Sequence, residues 1–207
     1  MMFYPKDITV IIPAYNASKT IERALKSLIN QTISGFHVII IDDGSSDDTS
    51  DKIENFISAN KFQSNRLSLK VFHKQNGGVS SARNLGLLNV NSKIVSFLDA
   101  DDAYASCRLE CDLNTFNADP NISLISGQAN VLDTENAPNI SSSFECNYRD
   151  VSLLELLFFN RFQTSTVSIK LRSDLFDESK KLSEDYLYWL MLRIGAEKSE
   201  KFVKADF

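Results

Sequence analysis

Four short runs of branched aliphatic residues, each broken off by polar ones, constrain this chain more than any other feature. Ile8–Ile12 (Ile-Thr-Val-Ile-Ile) stops at Pro13, and His37–Ile41 stops at the pair Asp42 and Asp43. Leu67, Leu69 and Val71 alternate up to His73, and Ile94–Leu98 runs straight into Asp99. The continuous runs Ile8–Ile12 and His37–Ile41 mark strands covered on both faces, the alternating one a third strand and Ile94–Leu98 a fourth. The segments between them have helical spacing. Ile21, Ala24, Leu25, Leu28 and Ile29 fall on one helical face, with Ser18 the expected N-cap. Ser46 is placed to cap a helix turning Ile53, Phe56 and Ile57 inward, and Ser80–Leu88 reads as a third helix. This alternation predicts right-handed βαβ units in a mostly parallel sheet. Ligands of such sheets bind beyond the carboxyl ends of the strands. Pro13–Asn16, Asp42–Ser46, His73–Gly78 and Asp99–Asp102 are all polar and all fall there.

After Pro120 the rhythm changes. Ile122–Ile125 and Gln128–Leu132 read as short strands and Asp133–Asp150 as a polar loop. Ser152–Phe159 is an apolar helix, Thr164–Ile169 a strand and Glu184–Ile194 a closing helix. At 207 residues the chain fits a single domain. Its 22 basic residues are scattered and the net charge is −5, which excludes the basic stripe of a nucleic-acid binder. Cys107, Cys111 and Cys146 cannot all pair within one chain, and Cys107 and Cys111 lie in an expected helix without a zinc-completing His nearby; all three read as reduced thiols. No stretch approaches the ~20 apolar residues of a membrane span, and the start carries no apolar leader. The expected location is cytoplasmic, with peripheral contact at the inner face of the membrane left open.

The polar clusters have a chemical and a bland reading. Asp99, Asp101 and Asp102 are three carboxylates in four residues, which repel unless solvated or joined by a cation. Hard divalent ions such as Mn²⁺ or Mg²⁺ take oxygen ligands of this kind together with substrate phosphates; the alternative is a solvated acidic turn. A carboxylate of the pair Asp42 and Asp43 can accept from a nucleobase imide or a ribose hydroxyl, or serve the turn at Gly44. Gly77 and Gly78 precede a helix start, where backbone N–H groups favour anions, and Arg83 lies one turn in. The lone His73 reads as a satisfied loop residue. Glu184 and Asp185 open the last helix, as the helix dipole favours, and either carboxylate also suits a general base. Trp189, one turn on, is core or a surface for a sugar to stack on.

Five stretches taken together resemble the family 2 inverting glycosyltransferases of GT-A fold. They are Val10–Asn16, Ile40–Asp47, Asn76–Gly86, Phe97–Asp102 and Ser183–Trp189, in the family's order and across nearly the whole chain. The resemblance implies a Rossmann-like α/β sheet flanked by helices, with residues 1–103 binding nucleotide and 104–207 carrying the catalytic and acceptor half. It implies that Pro13, Tyr15, Asp43, Arg83 and Asp99 hold a nucleotide-sugar donor, with UDP the usual nucleotide. Asp99 and Asp101 match the family's metal-binding Asp-x-Asp, with Asp102 adjoining. Asp185 matches the catalytic base, with Glu184 its rival. The implied acceptor is a saccharide or lipid-linked saccharide of a surface polysaccharide or glycolipid. Members of the family continue past the last helix, so the resemblance implies an acceptor half cut short. A sugar nucleotidyltransferase would carry a glycine-rich loop where Pro13–Asn16 stands; a non-catalytic nucleotide-sugar-binding domain is the other alternative.

Overall fold

In the computed structural model, residues 2–60, 66–129, 148–180 and 182–205 are described. The first half follows the expected rhythm: β1 (Ile8–Ala14), α1 (Ile21–Ile29), β2 (Phe36–Asp42), α2 (Thr49–Ala59), β3 (Leu67–His73), α3 (Val79–Leu88) and β4 (Ile94–Phe97). The second half adds α4 (Arg108–Ala118), β5 (Ile122–Ser126), β6 (Tyr148–Asp150), α5 (Leu153–Phe158), β7 (Val167–Lys170), α6 (Glu184–Ile194) and β8 (Lys201–Ala205). One eight-stranded sheet runs β3-β2-β1-β4-β7-β5-β8-β6. β1 pairs in parallel with β2 and β4, and β2 with β3, so four strands point their carboxyl ends the same way. β7 is antiparallel to β4 and β5, and joins the halves.

The two-residue period of β1 sorts the core into two layers. Val10 and Ile12 pack with Leu25 and Leu28 of α1, Ile53 of α2 and Phe116 of α4. Ile11 packs on the other face with Ala82 and Leu87 of α3, Leu156 of α5, and Tyr188, Trp189 and Leu192 of α6. Each fully buried aliphatic chain contributes roughly 1.5–3 kcal/mol. α3 lies unusually close to the sheet: a Cβ at Gly86 would stand 2.6 Å from the Ile11 side chain. That closeness seats Arg83, one turn earlier, over the end of the sheet.

Several expectations are corrected. Helix α1 starts later than expected, with Thr20 rather than Ser18 at its N-cap position, and α2 follows Asp48 rather than Ser46; neither residue's side chain makes a capping bond. Gly127–Ala129 is not strand, and residues 130–132 lie outside the described residues. The expected polar loop ends in a strand, β6, while 133–147, with Cys146, fall outside the description. Thr164–Thr166 forms a 3-10 turn, so β7 begins only at Val167. Cys107 and Cys111 are buried. Among the described residues no helix is long and apolar enough to cross a membrane.

Candidate functional site

The loops after β1, β2, β3 and β4 meet at one sheet edge, and their meeting is built from side-chain to backbone bonds. β1 outlasts β4: Ile11 is its last residue paired there, while Ala14 still pairs Asp42 of β2. The Ile11 carbonyl accepts from Leu98 on the β4 side and the Ala14 carbonyl from Asp43 on the β2 side. Pro13 therefore faces the side that β4 has left, where its missing N–H costs no ladder bond. Asn16 follows with φ +49°, a left-handed conformation that Asn tolerates. Its side-chain oxygen accepts the Ser46 N–H at 2.8 Å, its own N–H reaches Ser45 Oγ at 3.0 Å, and the Ala17 N–H reaches Thr49 Oγ1 at 2.7 Å.

Asp43 is buried and faces inward. Its carboxylate accepts from Lys74 Nζ at 2.6 Å and from the N–H groups of Gly77 and Gly78 at 3.0 and 2.8 Å. Asp43, expected to line the nucleobase pocket, thus also braces the 74–78 loop. The reading of the Gly77 and Gly78 N–H groups as open to an outside anion is corrected, since the protein's own carboxylate accepts from both. Gly44 makes the arrangement feasible: its φ is +74°, and a Cβ would come within 2.8 Å of the Asn76 nitrogen. Neighbouring Asp42 accepts from the Ser45 N–H at 3.0 Å and meets His73 Nδ1 at 3.2 Å, the satisfied histidine expected.

A cleft of about 550 Å³ opens at this edge, lined among others by Pro13, Tyr15, Val79, Arg83, Asp99 and Asp101. Arg83 is 3% exposed, yet it reaches two carboxylates: Asp99 Oδ1 at 2.9 Å and Glu184 Oε1 at 3.1 Å. The Phe176 ring lies 5.4 Å from its guanidinium carbon. Asp99 gives its N–H to Ser165 Oγ at 2.9 Å, and the Asp101 carbonyl accepts from the Arg23 guanidinium. Partial burial holds the Asp102 carboxyl above the usual carboxylate range, against the pull of a Ser165 hydrogen bond, and the charges of Asp101 and Asp99 add to the rise. Three acids competing in this way suit a hard cation. They do not form a closed cage: among the described residues no three His, Cys, Asp or Glu side chains converge for metal binding. Any cation held there draws further ligands from a bound phosphate.

α6 brings its first turn to the same edge. Ser183 enters it with φ +57°, and Glu184 turns to Arg83. Asp185 turns away from Arg83: Thr164 Oγ1 donates to its Oδ2 at 3.1 Å, and the Tyr186 N–H reaches its Oδ1 at 2.7 Å. The two acids are therefore not equivalent, since Glu184 is committed to a buried cation and Asp185 only to neutral donors. Trp189 is fully buried, edge-on to Phe97, Phe176 and Tyr188, so the expectation of a sugar-stacking surface is corrected. Sequence reading missed Arg23, Lys74, Thr164 and Ser165; single polar residues far along the chain from their partners leave no pattern.

The chain matches the model of the family described as Glycosyl transferase family 2 over residues 9–174. A glycosyltransferase of Rickettsia bellii is 40% identical over 106 residues, covering 51% of this chain and 14% of that protein. The minor teichoic acid biosynthesis protein GgaA of Bacillus subtilis is 30% identical over 199 residues, covering 89% of this chain and 42% of GgaA. The chain thus spans less than half of either relative. Residues 1–349 of S. aureus TarS superimpose with a TM-score of 0.73 at 23% identity, covering 96% of this chain and 60% of that one. TarS has also been solved with UDP and with UDP-GlcNAc. A mannosyltransferase of Pyrobaculum calidifontis, solved with GDP-Man and Mn²⁺, matches with a TM-score of 0.62 at 19% identity, over 89% of this chain and 51% of that one. These likenesses establish a GT-A fold.

Proposed function

Because the chain belongs to glycosyl transferase family 2, we propose that it moves a sugar from a UDP-sugar to a hydroxyl of a saccharide or lipid-linked saccharide, with inversion, in a single displacement. The observation that carries this reading is the cleft joining Pro13, Tyr15, Arg83, Asp99 and Asp101 from separate loops at the carboxyl edge of the sheet. Pro13 and the half-exposed Tyr15 offer the nucleobase an apolar wall and an aromatic face. Arg83, fixed by Asp99 and Glu184, offers a preorganised cation near the diphosphate. Asp101 and Asp102, with Asp99, would hold Mn²⁺ or Mg²⁺, which supplies Lewis-acid chemistry toward the leaving diphosphate; the mutual crowding of these acids and the Mn²⁺ of the Pyrobaculum enzyme support that assignment.

Asp185 is the general base in this reading. Its carboxylate takes the proton of the acceptor hydroxyl as the oxygen attacks the anomeric carbon, from the face opposite the departing UDP. Glu184, expected as its rival, is instead the partner that holds Arg83. Residues 1–103 act as the nucleotide half and the later residues as the catalytic and acceptor half. The TarS complexes and GgaA support a UDP-sugar donor and a cell-surface polymer acceptor. Exposed Leu154, Leu157, Phe158 and Phe159 beside α6 support peripheral membrane contact at the cytoplasmic face.

The test is UDP release from a panel of UDP-sugars in Mn²⁺, with and without saccharide acceptors, beside calorimetry of UDP binding. Turnover with one donor supports the transferase. Tight UDP-sugar binding with no turnover on any acceptor turns the reading toward a binding domain.

A further inference from the structure

The 3-10 turn Thr164–Thr166, between α5 and β7, touches both sides of the reaction centre without belonging to any of its motifs. Its three hydroxyl side chains point to three places. Thr164 Oγ1 donates to Asp185 Oδ2 at 3.1 Å. Ser165 Oγ accepts the Asp99 N–H at 2.9 Å, at the start of the acidic loop. Thr166 Oγ1 donates to the Gln163 carbonyl at 2.7 Å and pairs with Ser126 Oγ at 2.8 Å.

The turn is anchored from beneath. The Thr166 carbonyl accepts from Arg108 at 2.5 Å and from the Gly127 N–H at 2.8 Å. Arg108 is itself buried and paired with buried Asp112 at 2.8 Å, which accepts the Ser168 hydroxyl at 2.5 Å. Thr164 and Thr166 are both buried. A β-branched residue in a packed turn has little χ1 freedom, so the hydroxyl of Thr164 has a set direction. It fixes one Asp185 oxygen while leaving acceptor capacity on the carboxylate for a substrate proton.

We propose that this turn is the positioning element of the transfer reaction, Thr164 aiming Asp185 and Ser165 holding the Asp99–Asp102 loop at a set distance from it. The proposal rests on Asp185 as general base. Thr164 and Ser165 act through other groups and are positioning residues.

The experiment compares Thr164→Val, which keeps shape and loses the hydroxyl, with Thr164→Ser, which keeps the hydroxyl. The assay is UDP release from the UDP-sugar that the donor panel selects, in Mn²⁺, with the full chain. A hydrogen bond to a charged group predicts a fall in kcat of roughly 10- to 100-fold for Thr164→Val, with donor KM within about two-fold. Thr164→Ser should restore most of the rate. Ser165→Ala should move the other quantity, weakening UDP binding in Mn²⁺ by roughly five- to ten-fold in calorimetry, a readout independent of turnover. If Thr164→Val does not fold, Thr164→Ala takes its place in the comparison with Ser. Wild-type kcat in Thr164→Val, while Asp185→Asn is inactive, overturns the proposal and leaves the base in place. A serine variant as slow as the valine one also overturns it, because packing rather than the hydroxyl is then at work. Full activity in Asp185→Asn, or no UDP release by the wild-type chain with any donor, removes the reading beneath and the proposal with it.

Discussion

Substituting the two acids that open α6, one at a time, should separate chemistry from architecture. Asp185→Asn keeps an oxygen to accept either the Thr164 hydroxyl or the Tyr186 N–H, so little packing is lost. What goes is the basic oxygen, and general-base contributions of about 10²–10⁴ correspond to roughly 3–5.5 kcal/mol of barrier. Transfer should fall by that factor while UDP affinity holds. Glu184→Gln should behave in the opposite way. Its carboxylate, 15% exposed, is one of two that meet buried Arg83, and the amide keeps a hydrogen bond while losing the charge. Removing a partner from a buried pair costs about 3–5 kcal/mol at full burial; the retained bond and the remaining Asp99 reduce this to about 1–3 kcal/mol. For a domain of this size the melting temperature should drop by about 2–10 °C. UDP release at saturating donor, calorimetry of UDP binding and thermal melts of both variants give the answer. Undiminished transfer in Asp185→Asn, with an inactive but stable Glu184→Gln, would refute the reasoning and move the base to Glu184.

Other outcomes follow from the same geometry. Asp101→Ala should abolish most of the gain in UDP affinity that Mn²⁺ gives over chelator; calorimetry showing the same Mn²⁺ gain as wild type would remove Asp101 from the cation site. Asp43→Ala strips three bonds from the 74–78 loop, so it should cost about 3 kcal/mol in urea unfolding and weaken UDP binding about ten-fold through loss of loop order; normal stability would contradict the bracing role. Asp112 is pushed up to about 6 by burial, which outweighs Arg108 and the Ser168 hydrogen bond. The folded chain then holds that proton more tightly than the unfolded one, and this contribution to stability, full below about pH 4, is lost as pH rises through about 6. Wild type should therefore lose stability relative to Asp112→Asn between pH 4.5 and 7.5; a constant difference in urea unfolding would exclude the effect.

The first half of the fold was legible because parallel strands buried on both faces need continuous apolar runs, and β1, β2 and β4 have them. β8 was not. Lys201–Ala205 is a short stretch with lysines at two positions, and it pairs only because β5 presents an open edge. β6 is exposed along its length and owes its conformation to β8. At the site, Asp42–Asp43 and Asp99–Asp102 marked their loops because each group of acids comes at the end of a buried strand, whereas Glu184 and Asp185 open a helix. Orientation was beyond reach. Asp43 and its backbone donors are more than thirty residues apart, so nothing local distinguishes an inward carboxylate from one facing a ligand. Trp189 lies one helical turn beyond Glu184 and Asp185, and only the packing of Phe97 and Phe176 decides that it points into the core.

The inward turn of Asp43 also bears on how cheaply a donor can be taken up. Ordering a glycine loop around a ligand normally subtracts from affinity, because glycine gives up more backbone freedom than any other residue. Here a carboxylate already bound to Gly77, Gly78 and Lys74 draws the loop into its final course while the chain folds. A donor that touches this wall is thereby spared part of that ordering cost.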